Sequence, residues 1–345
     1  MTALRAKPTI IDIARESGVS PATVDRVLNE RDGVRRATVD KVIAVAQRLN
    51  YPLPAQMMAR PGLTHLNFDF ILPSGPNTFM QTLSRLVTEI EHADSMFSAR
   101  GRLHLVDRFN PEALSRRLLK IGDDTDGIAM VALEHPLVRE TVNTLVARGV
   151  PVATILSDLS NSRRVGYVGL DNRAAGRTAG YLLGRFIGPQ SGKVAMIAGS
   201  LSYRGHEERE MGFRHILGEA FPELRIVGLT EGRDDHARNY AATKELLAEH
   251  PDLRGIYNIG GGSRGTAEAL LEFKRAPRVV FVGHELTEHT RRYLMLGAMD
   301  AVINQDPAHE VVSVMRLLIA HRGQPGAPVS VESTRIDVFV RENLP

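Results

Sequence analysis

The sequence predicts a small all-α unit followed by a much larger α/β unit of two doubly wound parallel-sheet lobes. Three observations predict it. Helical spacing of apolar residues is confined at first to residues 1–51. From residue 63, short apolar runs that end near Pro, Gly or Asp alternate with helical stretches, the pattern of a parallel α/β plan. There are too many such runs for one sheet.

The totals narrow the function classes. A chain of 345 residues suggests two or three domains, and 43% hydrophobic with 24% charged residues is ordinary globular composition. There is no cysteine, so disulfides and thiolate metal sites are excluded. The start, MTALRAKPTI, carries no apolar signal core and no later run is long enough to span a membrane, so a soluble cytoplasmic protein is expected. The 12 histidines are scattered without ligand spacing, and no metal or cofactor is expected. The net charge of +3 is unevenly placed. Residues 1–62 hold 10 Lys and Arg against 6 Asp and Glu, and the remainder holds 33 against 34. A basic head on a neutral body fits a polyanion-binding module joined to something else.

In the head, Thr9 and Asp12 have capping-box spacing before Ile10, Ile13 and Ala14, which share a helical face. Gly18 ends that helix in a left-handed cap. Ser20 caps a second helix with Pro21 at its first position, and Val24, Val27 and Leu28 form its buried face. A third helix runs over 38–49, carried by Val39, Val42, Ile43, Ala46 and Leu49. Helix, glycine turn, short helix and packing helix make a helix-turn-helix, whose second helix enters the major groove by its N-terminal end. Ala22, Thr23 and Arg26 then face DNA, with Arg26 able to grip a guanine edge or a phosphate. The alternative is a three-helix bundle with no DNA role.

"TIIDIARESGVSPATVDRVLN", followed by "GVRRATVDKVIAVAQRLNYPLP", resembles the head of the LacI/GalR family of bacterial transcription regulators. The resemblance implies DNA contacts from Ser20, Pro21, Ala22, Thr23, Arg26 and Asn29. Asp25 departs from the family, which usually has Ser there; a carboxylate beside phosphates weakens binding unless Arg26 or another base neutralises it. The family continues into a minor-groove hinge helix with a Leu wedge. Here residues 52–62 read PLPAQMMARPG, with Arg60 at the wedge position after Met57 and Met58. Arg60 in a narrow groove, or a Met as wedge, are the substitutes.

The body runs are HLNFDFILP, RLHLVDRF, DGIAMVAL, VPVATILSD, YVGLD, KVAMIAG, LRIVGL, GIYNI, RVVFVGHE and AVINQ, and VSVESTRIDVFV reads as closing edge strands. Their order resembles the periplasmic-binding-protein-like core of the same family. By that resemblance, residues 63–345 form an effector-binding and dimerisation domain. Lobe one would hold 63–163 plus 292–322, and lobe two 164–291 plus 323–345. Ligands of such sheets bind beyond the carboxyl ends of the strands. Candidate ligand residues are Asp158 in ILSD, Arg209 in the family's Arg-x-x-Gly-Phe helix, and Asn258 at a strand end. Glu285 stands where the family usually has Asp, and Gln305 ends VINQ. Carboxylates, Arg and amides complement sugar hydroxyls, each both donor and acceptor. Alternatively, Arg209 lies on a solvated helix face, Asp158 and Glu285 are helix caps or surface residues, and Asn258 and Gln305 satisfy loop backbone. Phe79 is read as core.

Gly260–Gly265 fits G-x-G-x-x-G between a strand and a helix, with Glu285 twenty residues on. That is the pattern of a dinucleotide fingerprint and supplies the rival reading, an NAD-sensing regulator or a dehydrogenase. No G-x-S-x-G, H-E-x-x-H or P-loop Lys is present, and no enzyme is expected. The expected protein is a homodimeric regulator, a repressor, that binds double-stranded operator DNA under control of a carbohydrate-like effector.

Overall fold

A computed structural model of the chain describes residues 8–29, 31, 33–49, 51, 53, 66–92, 99–276, 278–323 and 334–345. They fall into two compact units, a head up to residue 66 and a body from residue 67.

The head contains α1 (Ile10–Ser17), α2 (Pro21–Leu28) and α3 (Arg36–Arg48). Its helix ends are local chemistry. The Thr9 N–H donates to Asp12 Oδ2 at 2.9 Å, and the Asp12 N–H donates to Thr9 Oγ1 at 3.3 Å, closing a capping box. Gly18 stops α1 at φ 66°, where a Cβ is strained. The Thr23 N–H donates to Ser20 Oγ at 3.1 Å, and Pro21 opens α2. Ile13, Val24, Val42 and Ala46 are fully buried at the three-helix contact, each Val or Ile contributing about 1.5–3 kcal/mol by leaving water.

The body holds two sheets. The first, in order β2 (Ala99–Val106), β1 (Leu66–Pro73), β3 (Gly127–Met130), β4 (Val152–Ile155) and β5 (Gly166–Val168), is parallel from β1 through β5. Every residue of β3 and β4 is buried, as expected of strands covered on both faces. Around it lie α4 (Thr78–His92), α5 (Pro111–Ile121) and α6 (Pro136–Ala147).

The second sheet has the order β11 (Asp337–Phe339), β10 (Ala301–Asn304), β9 (Val280–His284), β8 (Leu253–Asn258), β6 (Gly192–Ala198) and β7 (Leu224–Glu231). It is parallel except for β11, which pairs antiparallel with β10 at Val302↔Phe339. Its helices are α7 (Asn172–Ile187), α8 (Arg204–Ala220), α9 (His236–Glu249), α10 (Ser263–Glu272) and α11 (Glu288–Met295). The chain then returns to the first lobe, where α12 (Pro307–Gly323) packs on α4, β4 and β5.

The crossings differ from the expected cuts. Residues 166–168 stay in the first sheet, paired through Ala153↔Gly166. Residues 292–304 stay in the second, because β10 pairs with β9 through Ala301↔Val282. Strands of the two lobes look alike in sequence; only their pairing assigns them. Residues 324–333 lie outside the described residues.

One helix contact positions the site. A Cβ on Gly176 would stand 2.0 Å from the Arg209 carbonyl, and one on Gly212 would stand 2.1 Å from that of Arg173. Paired glycines therefore let α7 and α8 touch backbone to backbone, which brings Asn172 beside Arg209.

Candidate functional site

On the head, Ser20, Pro21, Ala22, Arg26 and Asn29 are exposed along α2, and Thr23 is half-buried with its Oγ1 2.8 Å from Ser20 Oγ. The exposed N-terminus of α2 presents the positive end of the helix dipole, which suits an anionic backbone. Asp25 is neutralised by Arg31, 3.4 Å away, and not by Arg26. It also accepts from Asn29 Nδ2 at 2.9 Å, so Asn29 braces the end of α2. Arg26 is left with its charge outward. Met57, Met58 and Arg60 lie outside the described residues.

In the body, the carboxyl ends of both sheets border a cleft that encloses about 670 Å³ of empty space, part of it open to solvent. At its floor Arg209, 5% exposed, is held from three sides. Its Nε donates to Asn172 Oδ1 at 2.7 Å, its Nη1 donates to the Ile259 carbonyl at 3.0 Å, and its Nη2 lies 3.9 Å from Glu285 Oε1. Gln305 Nε2 donates to the same Glu285 oxygen at 2.7 Å. Glu285 Oε2 and Gln305 Oε1 are buried and have no partner. Burial pushes the Glu285 carboxyl up to about 7 against the opposing pull of Arg209 and Gln305. Arg209, Glu285 and Gln305 are therefore brought together as the motifs implied, and none is a helix cap or solvated-face residue.

Asp158 and Asn258 are not in the cavity wall. Leu156 adopts φ 65°, and after this turn Ser157 lines the cavity and accepts from the Gly205 N–H at 3.3 Å. Asp158 instead takes Arg164 as a two-pronged ion pair and the Thr154 hydroxyl at 2.6 Å. Asn258 is buried beneath the glycine loop, its Nδ2 donating to the Gly260 and Gly261 carbonyls at 3.1 and 2.9 Å. Satisfying loop backbone is its observed role.

The structure adds residues that the motifs did not reveal. Asn77 caps α4 by accepting from the Phe79 and Met80 N–H groups, and its Nδ2 reaches Asp234 of the other lobe at 3.3 Å. Asp234 also accepts from the Gly261 N–H at 2.7 Å. His206 is held at Nδ1 by the Ser200 backbone, and burial keeps its pKa below the ordinary value. Arg108, Tyr203 and Phe79 complete the wall; Phe79 is only 7% exposed yet borders the cavity. Asn77, Arg108 and Asp234 stand in loops that follow strands, while Tyr203 and His206 lie at the start of α8, so position after a strand was the available signal for the first three. Leu156, Asp234 and Glu285 all hold φ between 54° and 66°, as do Phe109 and Arg233 beside them. Non-glycine residues in this region store strain that surrounding structure must hold, a feature that gathers at ligand sites.

The glycine loop is explained by packing. A Cβ on Gly265 would lie 1.9 Å from the His236 carbonyl, and one on Gly260 2.6 Å from Asp234. The Gly261 amide, which a pyrophosphate would require, already donates to a carboxylate, and Glu285 is spent on Arg209 and Gln305. Among the described residues no group of three or more His, Asp or Glu is placed to hold a metal ion, and no helix is long and apolar enough to cross a membrane.

Comparison with known proteins agrees with both units. The pattern of the lacI family of bacterial regulatory proteins matches residues 9–52, and that of the periplasmic binding protein domain matches residues 117–325. Catabolite control protein A of Priestia megaterium is 26% identical over 250 residues, 72% of this chain and 73% of that protein. GanP, a glucose-galactose binding protein from Geobacillus stearothermophilus, superposes with a TM-score of 0.72 at 25% identity, covering 81% of this chain and 99% of its own. A solute-binding protein of Burkholderia graminis solved with D-arabinose gives 0.74 at 20% identity, over 82% and 98%. A capped helix-turn-helix with an outward Arg26, joined to a body of two α/β lobes that border a cleft, makes this chain a DNA-binding regulator of the lacI family with a periplasmic-binding-protein-like body.

Proposed function

We propose that the protein is a homodimeric transcriptional repressor whose operator affinity is set by a carbohydrate-type effector in the body cleft. Residues 1–51 read operator DNA, 52–62 form the hinge, and 63–345 bind effector and dimerise. Ser20, Pro21, Ala22, Thr23, Arg26 and Asn29 contact the major groove or its phosphates, with Met57, Met58 and Arg60 at the minor groove. Two heads match a pseudo-palindromic site, since operator symmetry mirrors protein symmetry. The protein acts in the cytoplasm, where its DNA is, and catalyses nothing.

The observation that carries the effector reading is the floor triad of Arg209, Glu285 and Gln305. It presents unpartnered acceptors to the cavity between the lobes. Sugar hydroxyls are the complement of such acceptors. The name of the Geobacillus relative, a glucose-galactose binding protein, supports the same class. Effector closes one lobe on the other and alters the hinge, a coupling of about 1–3 kcal/mol that runs both ways. A thermal-shift screen of monosaccharides, polyols and sugar acids, with electrophoretic shifts of promoter DNA, tests the proposal. A stabilising sugar that also changes DNA affinity supports it. Unchanged DNA binding in Arg26→Ala counts against the head assignment, and induction in a reporter strain lacking the protein separates repressor from activator.

A further inference from the structure

The cavity's two ends ask for opposite chemistry. At the floor, Glu285 Oε2 and Gln305 Oε1 are buried acceptors in need of donors. At the rim, Arg108 Nη1 is a buried donor in need of an acceptor. The two cleft arginines differ in how their charge is met. Arg209 spends its guanidinium on Asn172, Ile259 and Glu285. Arg108 lies 5.7 Å from the centre of the Phe109 ring, and Arg233 of the other lobe lies 5.7 Å from the same ring. No ion pair of the described residues engages either one. The acid at this end, Asp234, has its two oxygens taken by the Gly261 N–H and Asn77 Nδ2. Arg108 in the cavity wall and the exposed Arg233 of the other lobe thus flank one aromatic ring, and no ion pair of the described residues engages either.

We propose that the effector is an anionic polyol. Its hydroxyls donate to Glu285 Oε2 and Gln305 Oε1, and its carboxylate or phosphoryl group accepts from Arg108, with Arg233 supplying a second positive charge at the rim. This rests on the cleft reading above and narrows it. A neutral sugar can offer a hydroxyl oxygen to Arg108 Nη1, but it brings no charge to a guanidinium that no acid of the described residues pairs. Hydrogen bonds between ions are roughly twice as strong as neutral ones, and that difference favours the anion.

The test compares matched probes on the full chain by calorimetry: D-gluconate, D-glucuronate and D-glucose 6-phosphate against D-glucose, and the corresponding galactose set. The expected result is at least tenfold tighter binding of one anionic probe than of its neutral parent, weakening as salt rises. Arg108→Gln removes that preference and Arg108→Lys keeps part of it, with the melting temperature of the free protein little changed. Binding of the carboxylates alone identifies a sugar acid, and binding of the phosphate alone a sugar phosphate. The wild-type comparison stands without any variant. A neutral sugar bound as tightly as its acid, with no response to Arg108→Gln, overturns the anionic assignment while the cleft reading survives. No binding by any probe overturns both.

Discussion

The floor and the rim of the cleft are built on different principles. Arg209, Asn172, Ile259 and Glu285 all belong to the second lobe, with Gln305 at its edge, so the floor is assembled within one rigid body. The rim is shared. Asn77 of one lobe meets Asp234 of the other, the Phe109 ring tilts against Tyr203 at 5.4 Å, and the Glu134 N–H donates to the Ser202 carbonyl at 2.9 Å. Floor contacts therefore lie within one lobe, while rim contacts join the two lobes and depend on their approach. A ligand gains fixed recognition from the first and shifts the conformational balance through the second.

The largest effect should come from breaking the floor. Arg209→Ala strands Asn172 Oδ1, the Ile259 carbonyl and Glu285 in a buried site, and a loss of about 3–5 kcal/mol is expected in urea unfolding. A loss below about 1 kcal/mol would mean that the floor is not held by this arginine.

Next comes a pH dependence that belongs to the floor alone. The fold holds the Glu285 carboxyl at about 7 against an ordinary 4.5, so it favours the protonated form. Its contribution to stability is full below pH 4.5 and is lost as pH rises through about 7. Melting temperatures of Glu285→Gln should fall less than those of wild type over that window. The wild-type decline should run further, because burial and the nearby Glu285 also raise the carboxyl of Glu310 in α12, whose two oxygens have no partner. Equal slopes in variant and wild type would remove Glu285 as the titrating group.

At the rim the effects shrink. Phe109→Ala removes an aromatic contact between lobes worth about 0.5–1.5 kcal/mol. Effector affinity should drop several-fold, with an increased radius of gyration in small-angle scattering and little change in chemical stability. Unaltered affinity would show that closure does not depend on this ring. Arg233→Gln, at an exposed position, should move stability by no more than about 0.5 kcal/mol, and its signature is a weaker salt dependence of effector binding.

Legibility in the sequence followed the range of the interactions. Thr9, Asp12, Gly18, Ser20 and Pro21 act on neighbours within four residues, so both caps of the head could be read directly. Arg209, Glu285 and Gln305 were readable because they sit at fixed places in strand-end or helix motifs. Asp158 was misplaced for a local reason with a non-local cause: the turn at Leu156 sends its carboxylate to Arg164. Asn77, Arg108 and Asp234 carry no motif; each becomes a cleft residue only because two lobes meet there. The glycine loop misled in the opposite direction, since a close approach of α9 and a phosphate site ask for the same residue.

Taken by itself, the sequence determined what short-range physics controls: where helices start and stop, which faces are apolar, and which strands are buried on both sides. Tertiary structure alone decided which sheet residues 166–168 and 301–304 join, which glycines face backbone, and which arginine is satisfied. Strand pairing and cleft closure bring together groups more than a hundred residues apart, as Asn77 and Asp234 show. No periodicity in a chain encodes that meeting; it is set by the lowest-energy packing of whole layers.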